Sequence, residues 1–260
     1  MPKKQSFLKA TCMAVAALAA LGCSQEEWTN ASAPKGNTTI VASFDRPGAD
    51  TRTSVVEETK VVWNSGDAFG LFYTNDGGGS YSVTPFSCGE LDENGDNTSA
   101  SFSGTLNGEA TSYAVYPYQE DRMTLEGTTV TMELPASIDY DKKNQQRSNG
   151  PMYAAATDIA NPIQFHHLAG LLKLTISSAI QADAKKFVIT ADKAIAGTCT
   201  ANLGVDSPVL AVKGEGSKTI TVNLYFTEPT SGLTTFYIPI PAGTYGCLLY
   251  TSDAADDMQC

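Results

Sequence analysis

Short runs in which apolar and polar residues alternate, each ended by a turn cluster, constrain this chain more than any other feature. The cleanest is Val130-Thr131-Met132-Glu133-Leu134, stopped by Pro135. The run over residues 220–226 repeats the pattern and stops at Glu228-Pro229. A period of two puts every apolar side chain on one face, so each run reads as a half-buried strand. Residues 236–241 alternate too, but Pro239 and Pro241 cannot donate to a ladder, so this strand belongs at an edge or ends its pairing early. Further strands are expected over 39–44, 61–63, 69–74, 81–86, 101–106, 113–118, 172–177 and 186–190. Turn chemistry separates them at 75–79, 92–95, 107–108 and 126–127, all rich in Asn, Asp and Gly. Strands at such short intervals mean an all-β sandwich or barrel. No segment sustains a helical period. Residues 168–172 could open a helix, but Gly170 and the alternation of Lys173, Thr175 and Ser177 favour a strand from Leu171.

The first residues are set apart from this pattern. Lys3, Lys4 and Lys9 precede an uncharged, largely apolar run over 10–21, which ends in Leu21-Gly22-Cys23 behind Ala19 and Ala20. The run is shorter than the roughly 20 apolar residues that span a bilayer. Small residues abutting a cysteine are the cue for lipid attachment to the thiol and cleavage just before it, so 1–22 read as a lipoprotein signal peptide and Cys23 as the lipidation site. A lipidated terminus is a membrane address, each buried CH₂ contributing about 0.8 kcal/mol. Residues 23–38, polar with Pro and Gly, read as a flexible tether.

The formal net charge of the whole sequence is −11, and the leader removes three lysines and no acids. Phosphate recognition needs a basic footprint, so nucleic acid is excluded as a partner. An acidic surface suits a secreted or cell-surface protein. The six cysteines make no disulfide framework and no zinc spacing. Cys12 leaves with the leader, Cys23 takes the lipid, and Cys88 and Cys199 read as small apolar core residues.

The 39–160 and 161–246 stretches are expected to form an N-terminal and a C-terminal domain, divided near Ala160 where Asn161-Pro162 follows the polar run over 139–150. Residues 247–260 (CLLYTSDAADDMQC) break the style of what precedes them. They read as a non-native tail, which leaves the second domain truncated.

Catalytic signatures do not emerge. His166 and His167 are the only histidines, and in an alternating strand they face opposite ways, so they cannot ligate one metal together. The run Asp92-Glu93-Asn94-Gly95-Asp96-Asn97 lacks the spacing and closing Glu of a calcium loop and reads as a turn. Asp121, Asp139 and Asp141 could pair as acid and base only within a cleft that nothing in the sequence announces. No nucleophile elbow, phosphate loop or nucleotide fingerprint occurs. Trp63 reads as a packing residue. The expectation is a protein that is not an enzyme and carries no cofactor and no metal.

Thr51-Arg52-Thr53 followed by Val62-Trp63-Asn64-Ser65-Gly66-Asp67-Ala68-Phe69-Gly70-Leu71-Phe72 resembles the pattern of fimbrillin-like lipoproteins of Bacteroides and its relatives. The resemblance continues in order through Ser101–Gly104, Tyr113–Pro117, Phe165–Leu174 and Ile240–Tyr245. Cys23-Ser24-Gln25-Glu26-Glu27 resembles the acidic signal that sends lipoproteins of that phylum to the cell surface. The family likeness implies two tandem transthyretin-like Greek-key β-sandwich domains. It implies a structural or accessory subunit of fimbriae at the cell outer membrane, serving adhesion. The partners implied are other fimbrial subunits, the membrane through the lipid anchor, and a processing protease that cuts after an arginine. Removal of an N-terminal strand would vacate a groove that a neighbouring subunit's strand fills by β-strand addition. On this chain the removable strand would be Thr39, Ile40, Val41, Ala42, Ser43 and Phe44, and the cut would follow Arg46 or Arg52. The alternative expectation is a monomeric surface lipoprotein that binds a glycan or host ligand.

Overall fold

The computed structural model describes residues 35–44, 62–75, 80–92, 95–141, 149–177, 186–225, 233–246 and 248–252. All regular structure in them is strand: β1 (Gly36–Phe44), β2 (Ala68–Thr74), β3 (Ser82–Cys88), β4 (Ser99–Leu106), β5 (Ala110–Tyr116), β6 (Thr124–Glu126), β7 (Thr129–Leu134), β8 (Ser137–Asp141), β9 (Met152–Ala155), β10 (Ile163–His167), β11 (Gly170–Ser177), β12 (Lys186–Ala191), β13 (Gly197–Asn202), β14 (Ala211–Val212), β15 (Thr219–Tyr225), β16 (Leu233–Ile240) and β17 (Leu248–Ser252). The all-β expectation holds, and the described residues contain no helix.

Seven strands close into a barrel in the order β1-β10-β9-β5-β2-β3-β4. Its interior follows from alternation: Ile40 and Ala42 of β1, Phe69 and Leu71 of β2, Phe86 and Cys88 of β3, and Ala100, Phe102 and Leu106 of β4 all point inward and are buried. A four-stranded sheet, β14-β13-β7-β6, covers the outer side of the barrel through Met132, Leu134, Cys199 and Ala201, which pack with Phe72 and Val115. Strand β2 therefore reads as a nearly continuous buried run, because both of its faces are covered.

A second four-stranded sheet, β17-β12-β15-β8, packs face to face with the two-stranded pair β11-β16. Phe187, Ile189, Ile220, Val222, Phe236 and Ile238 fill the space between these layers. Phe236 meets Tyr140 and Phe187 edge-on at centroid distances of 5.3 and 5.4 Å. Among the described residues β16 pairs only with β11, so Pro239 lies in an edge strand.

Several strands pair across residue 160. β10 runs parallel to β1, β13 is antiparallel to β7, and β15 is parallel to β8. A boundary at that residue coincides with no sheet boundary. The stretch 163–177 holds two strands, split at Leu168-Ala169, and each goes to a different sheet. Residues 62–64 are irregular, not strand. Residues 248–252 of the expected tail form β17 and pair antiparallel with β12.

Candidate functional site

Among the residues singled out from sequence, Cys23, Arg46 and Arg52 lie outside the described residues, whereas Thr39 to Phe44 form the body of β1. This strand closes the barrel. On one side it runs antiparallel to β4 from Gly36↔Leu106 to Ser43↔Ser99. On the other it runs parallel to β10 over Ala42↔Ile163, Ser43↔Gln164 and Phe44↔Phe165. Without β1 the remaining six strands would form an open sheet with two bare inner edges.

The side chains of β1 alternate as the sequence predicts. Ile40 and Ala42 are fully buried, while Thr39 and Val41 face solvent. Only two aliphatic side chains and the half-buried Phe44 anchor nine residues. A buried Ile contributes about 1.5–3 kcal/mol and an Ala much less, so backbone pairing carries a large share of the attachment. The outer face adds exposed polar links: Thr39 to Ser103 at 3.2 Å, Thr105 donating to Asn37 at 3.2 Å, and Lys35 paired with Glu109 at 3.0 Å. Exposed pairs of this kind contribute little.

Trp63 is the residue that joins β1 to the barrel interior. It is 1% exposed. Its indole Nε1 donates to the Ala42 carbonyl at 3.1 Å, and its ring stacks on Phe44 at 4.3 Å with a 26° interplanar angle. Phe102 of β4, Tyr116 of β5 and Phe165 of β10 meet the same indole edge-on at 4.8, 5.5 and 5.4 Å. The Trp63 amide donates to the Asn97 carbonyl at 2.8 Å, which fixes its backbone next to the start of β4. The segment after it is a turn held by Asp67, whose carboxylate accepts from the Asn64 amide at 2.8 Å and from the Tyr116 hydroxyl at 3.3 Å. The W-N-S-G-D run is thus a bracket that points an indole at β1. Sequence reasoning placed Trp63 in a core without linking it to the first strand. The signal available was its position directly before a turn and a barrel strand.

A cleft of about 400 Å³ opens near one end of the barrel, lined by residues that include Asp67, the cis-linked Tyr116-Pro117, Tyr118, Glu133, Tyr140 and Asn149. Its polar groups are largely engaged with one another. Gln119 bonds both backbone groups of Glu133, at 2.7 and 2.8 Å, and Tyr116 also reaches Asn149 at 3.2 Å. The Tyr140 hydroxyl donates to the Tyr237 carbonyl at 2.6 Å, and burial pushes its pKa up to about 12.

His166 packs on Tyr153 at 5.6 Å. Cys88 and Cys199 are buried and unbridged. Burial raises both thiols, that of Cys199 to about 11. Asp92 sits in a turn, its carbonyl accepting from the Gly95 amide at 2.9 Å and the Asn97 side chain at 2.7 Å. Among the described residues no three His, Cys, Asp or Glu side chains converge as a metal site.

No protein-family model matches the sequence, and no curated protein matches it. Among solved structures, a "putative cell adhesion protein" from Bacteroides ovatus aligns with 82% of this chain and 84% of its own, at 14% identity and a TM-score of 0.42.

Proposed function

We propose that this protein is a structural or accessory subunit of cell-surface fimbriae, lipidated at Cys23 and held at the outer membrane. Assembly proceeds by β-strand addition after proteolysis removes the segment that contains β1. One observation carries this reading. β1 is the strand that closes the barrel, is lightly anchored by side chains, and leads at once into the segment with Arg46 and Arg52. Its departure would leave a slot with β4 on one side and β10 on the other, and an incoming strand would regain the main-chain hydrogen bonds. In this reading the function lies in a sheet margin and involves no catalytic step.

The test is incubation of the purified protein with an arginine-specific protease. Release of the β1 segment followed by a ladder of oligomers supports the reading, and Arg52→Ala abolishes the ladder if the cut follows that residue. A cleaved protein that stays monomeric at all concentrations refutes it. The cleft near Tyr118 favours a second reading, a monomeric surface lipoprotein that binds a glycan. Under that reading β1 stays in place after protease treatment and Tyr118→Ala removes sugar binding.

A further inference from the structure

We propose that Trp63 sets which strand the β1 seat accepts and in what register: an extended segment of another subunit with a large apolar residue, a small residue and an aromatic at alternate positions. The inference rests on the fimbrial reading above and names the chemistry of the partner at that site.

The seat is read from its present occupant. Ile40, Ala42 and Phe44 face inward, two residues apart. Ala42 lies directly opposite Ala100 of β4, and both are buried. Directly opposed residues on neighbouring strands bring their Cβ atoms to about 4.5–5.5 Å, so two alanines side by side leave room for a bulky neighbour in the barrel interior. The indole of Trp63 is that neighbour, bonded to the Ala42 carbonyl and boxed by Phe44, Phe102 and Phe165. A larger side chain at the middle position of an incoming strand would have to displace the largest fully buried ring of the barrel core. The position two residues on must supply a flat face for the indole to stack upon, as Phe44 does. The position two residues before fills the space occupied by Ile40.

Register follows from the same residue. The indole N–H aims at one carbonyl of the seated strand. A slip by one residue would turn the apolar set outward, and a slip by two would bring a different residue over the indole. Trp63 therefore acts as a positioning residue for the strand, alongside the main-chain bonds of β4 and β10, which any sequence could make.

The test uses the full chain cut by an arginine-specific protease and freed of its N-terminal fragment. Trp28 leaves with that fragment, so Trp63 becomes the sole tryptophan and its emission reports the seat. A synthetic peptide of the residue 37–44 sequence is titrated alongside variants with Ala42→Leu, Phe44→Ala and Val41→Thr. The expected result is a blue shift with the parent peptide, at least tenfold weaker binding for Ala42→Leu and for Phe44→Ala, and less than a threefold change for the outward-facing Val41→Thr. Equal binding of all four peptides overturns this inference and leaves the fimbrial reading standing. Binding of none overturns both. Should the cut protein unfold, the intact chain serves: Ala42→Leu lowers its melting temperature by several degrees while Val41→Thr leaves it within one or two, and equal effects refute the assignment.

Discussion

Truncating Trp63 to Ala removes a fully enclosed indole and its bond to the Ala42 carbonyl. Loss of a buried Trp or Phe side chain costs about 3–5 kcal/mol, and the lost hydrogen bond adds about 1 kcal/mol. The expected destabilisation is therefore about 4–6 kcal/mol, shared between β1 and the Phe102, Tyr116 and Phe165 rings of the other barrel strands. At roughly 2–4 °C per kcal/mol for a chain of this size, the melting temperature should fall by about 10–20 °C. Phe44→Ala alone costs less, about 2 kcal/mol, because that ring is only partly buried and the residue still keeps its backbone pairs. The decisive quantity is the coupling. The two rings stack at 4.3 Å, so the double variant should be less destabilised than the sum by about 1 kcal/mol. Urea unfolding of the four proteins, followed by circular dichroism with slopes compared, measures it. Additive costs, or a Trp63→Ala penalty below about 1.5 kcal/mol, would show that the indole does not tie the first strand to the barrel.

Two further outcomes follow from packing and titration. A Cβ at Gly104 of β4 would lie 2.5 Å from the Pro85 carbonyl oxygen and 2.9 Å from the Phe86 ring, so Gly104→Ala should lower stability by about 1–3 kcal/mol in denaturant unfolding; a neutral effect would mean that β3 and β4 can part at no cost. Tyr140 is held neutral by burial, with its pKa raised from 10 to about 12. The unfolded chain gives up that proton first as pH rises, so this contribution, about 2–3 kcal/mol, is complete below pH 10 and is lost as pH climbs toward 12. Tyr140→Phe should flatten alkaline unfolding curves over that window, and unchanged curves would refute the assignment.

Much of the strand inventory was legible because half-buried strands write their burial into an alternating code. β7, β15 and the inward set of β1 follow it residue by residue. β8 carries the same code over only five residues, Ser137-Ile138-Asp139-Tyr140-Asp141, with Ile138 and Tyr140 facing the core, and it was hidden because it runs straight into a longer polar stretch; the ladder that fixes it is the parallel one to β15, some 80 residues away in sequence. β9, with its consecutive alanines, likewise owes its state to lying between β5 and β10. Partner choice is equally silent in one sequence: nothing in residues 39–44 says that they meet β4 on one side and β10 on the other. The candidate strand could therefore be named in advance, while the tryptophan that holds it emerged only with the fold.

The ladders between β7 and β13 and between β8 and β15 also bear on how the molecule is made. A polypeptide that emerges from its N-terminus presents β7 and β8 long before their mates arrive. Through that interval those edges must be shielded by chaperones or kept from pairing wrongly. Biogenesis then resembles fastening a garment whose two sides are delivered at different times, with closure awaiting the later one.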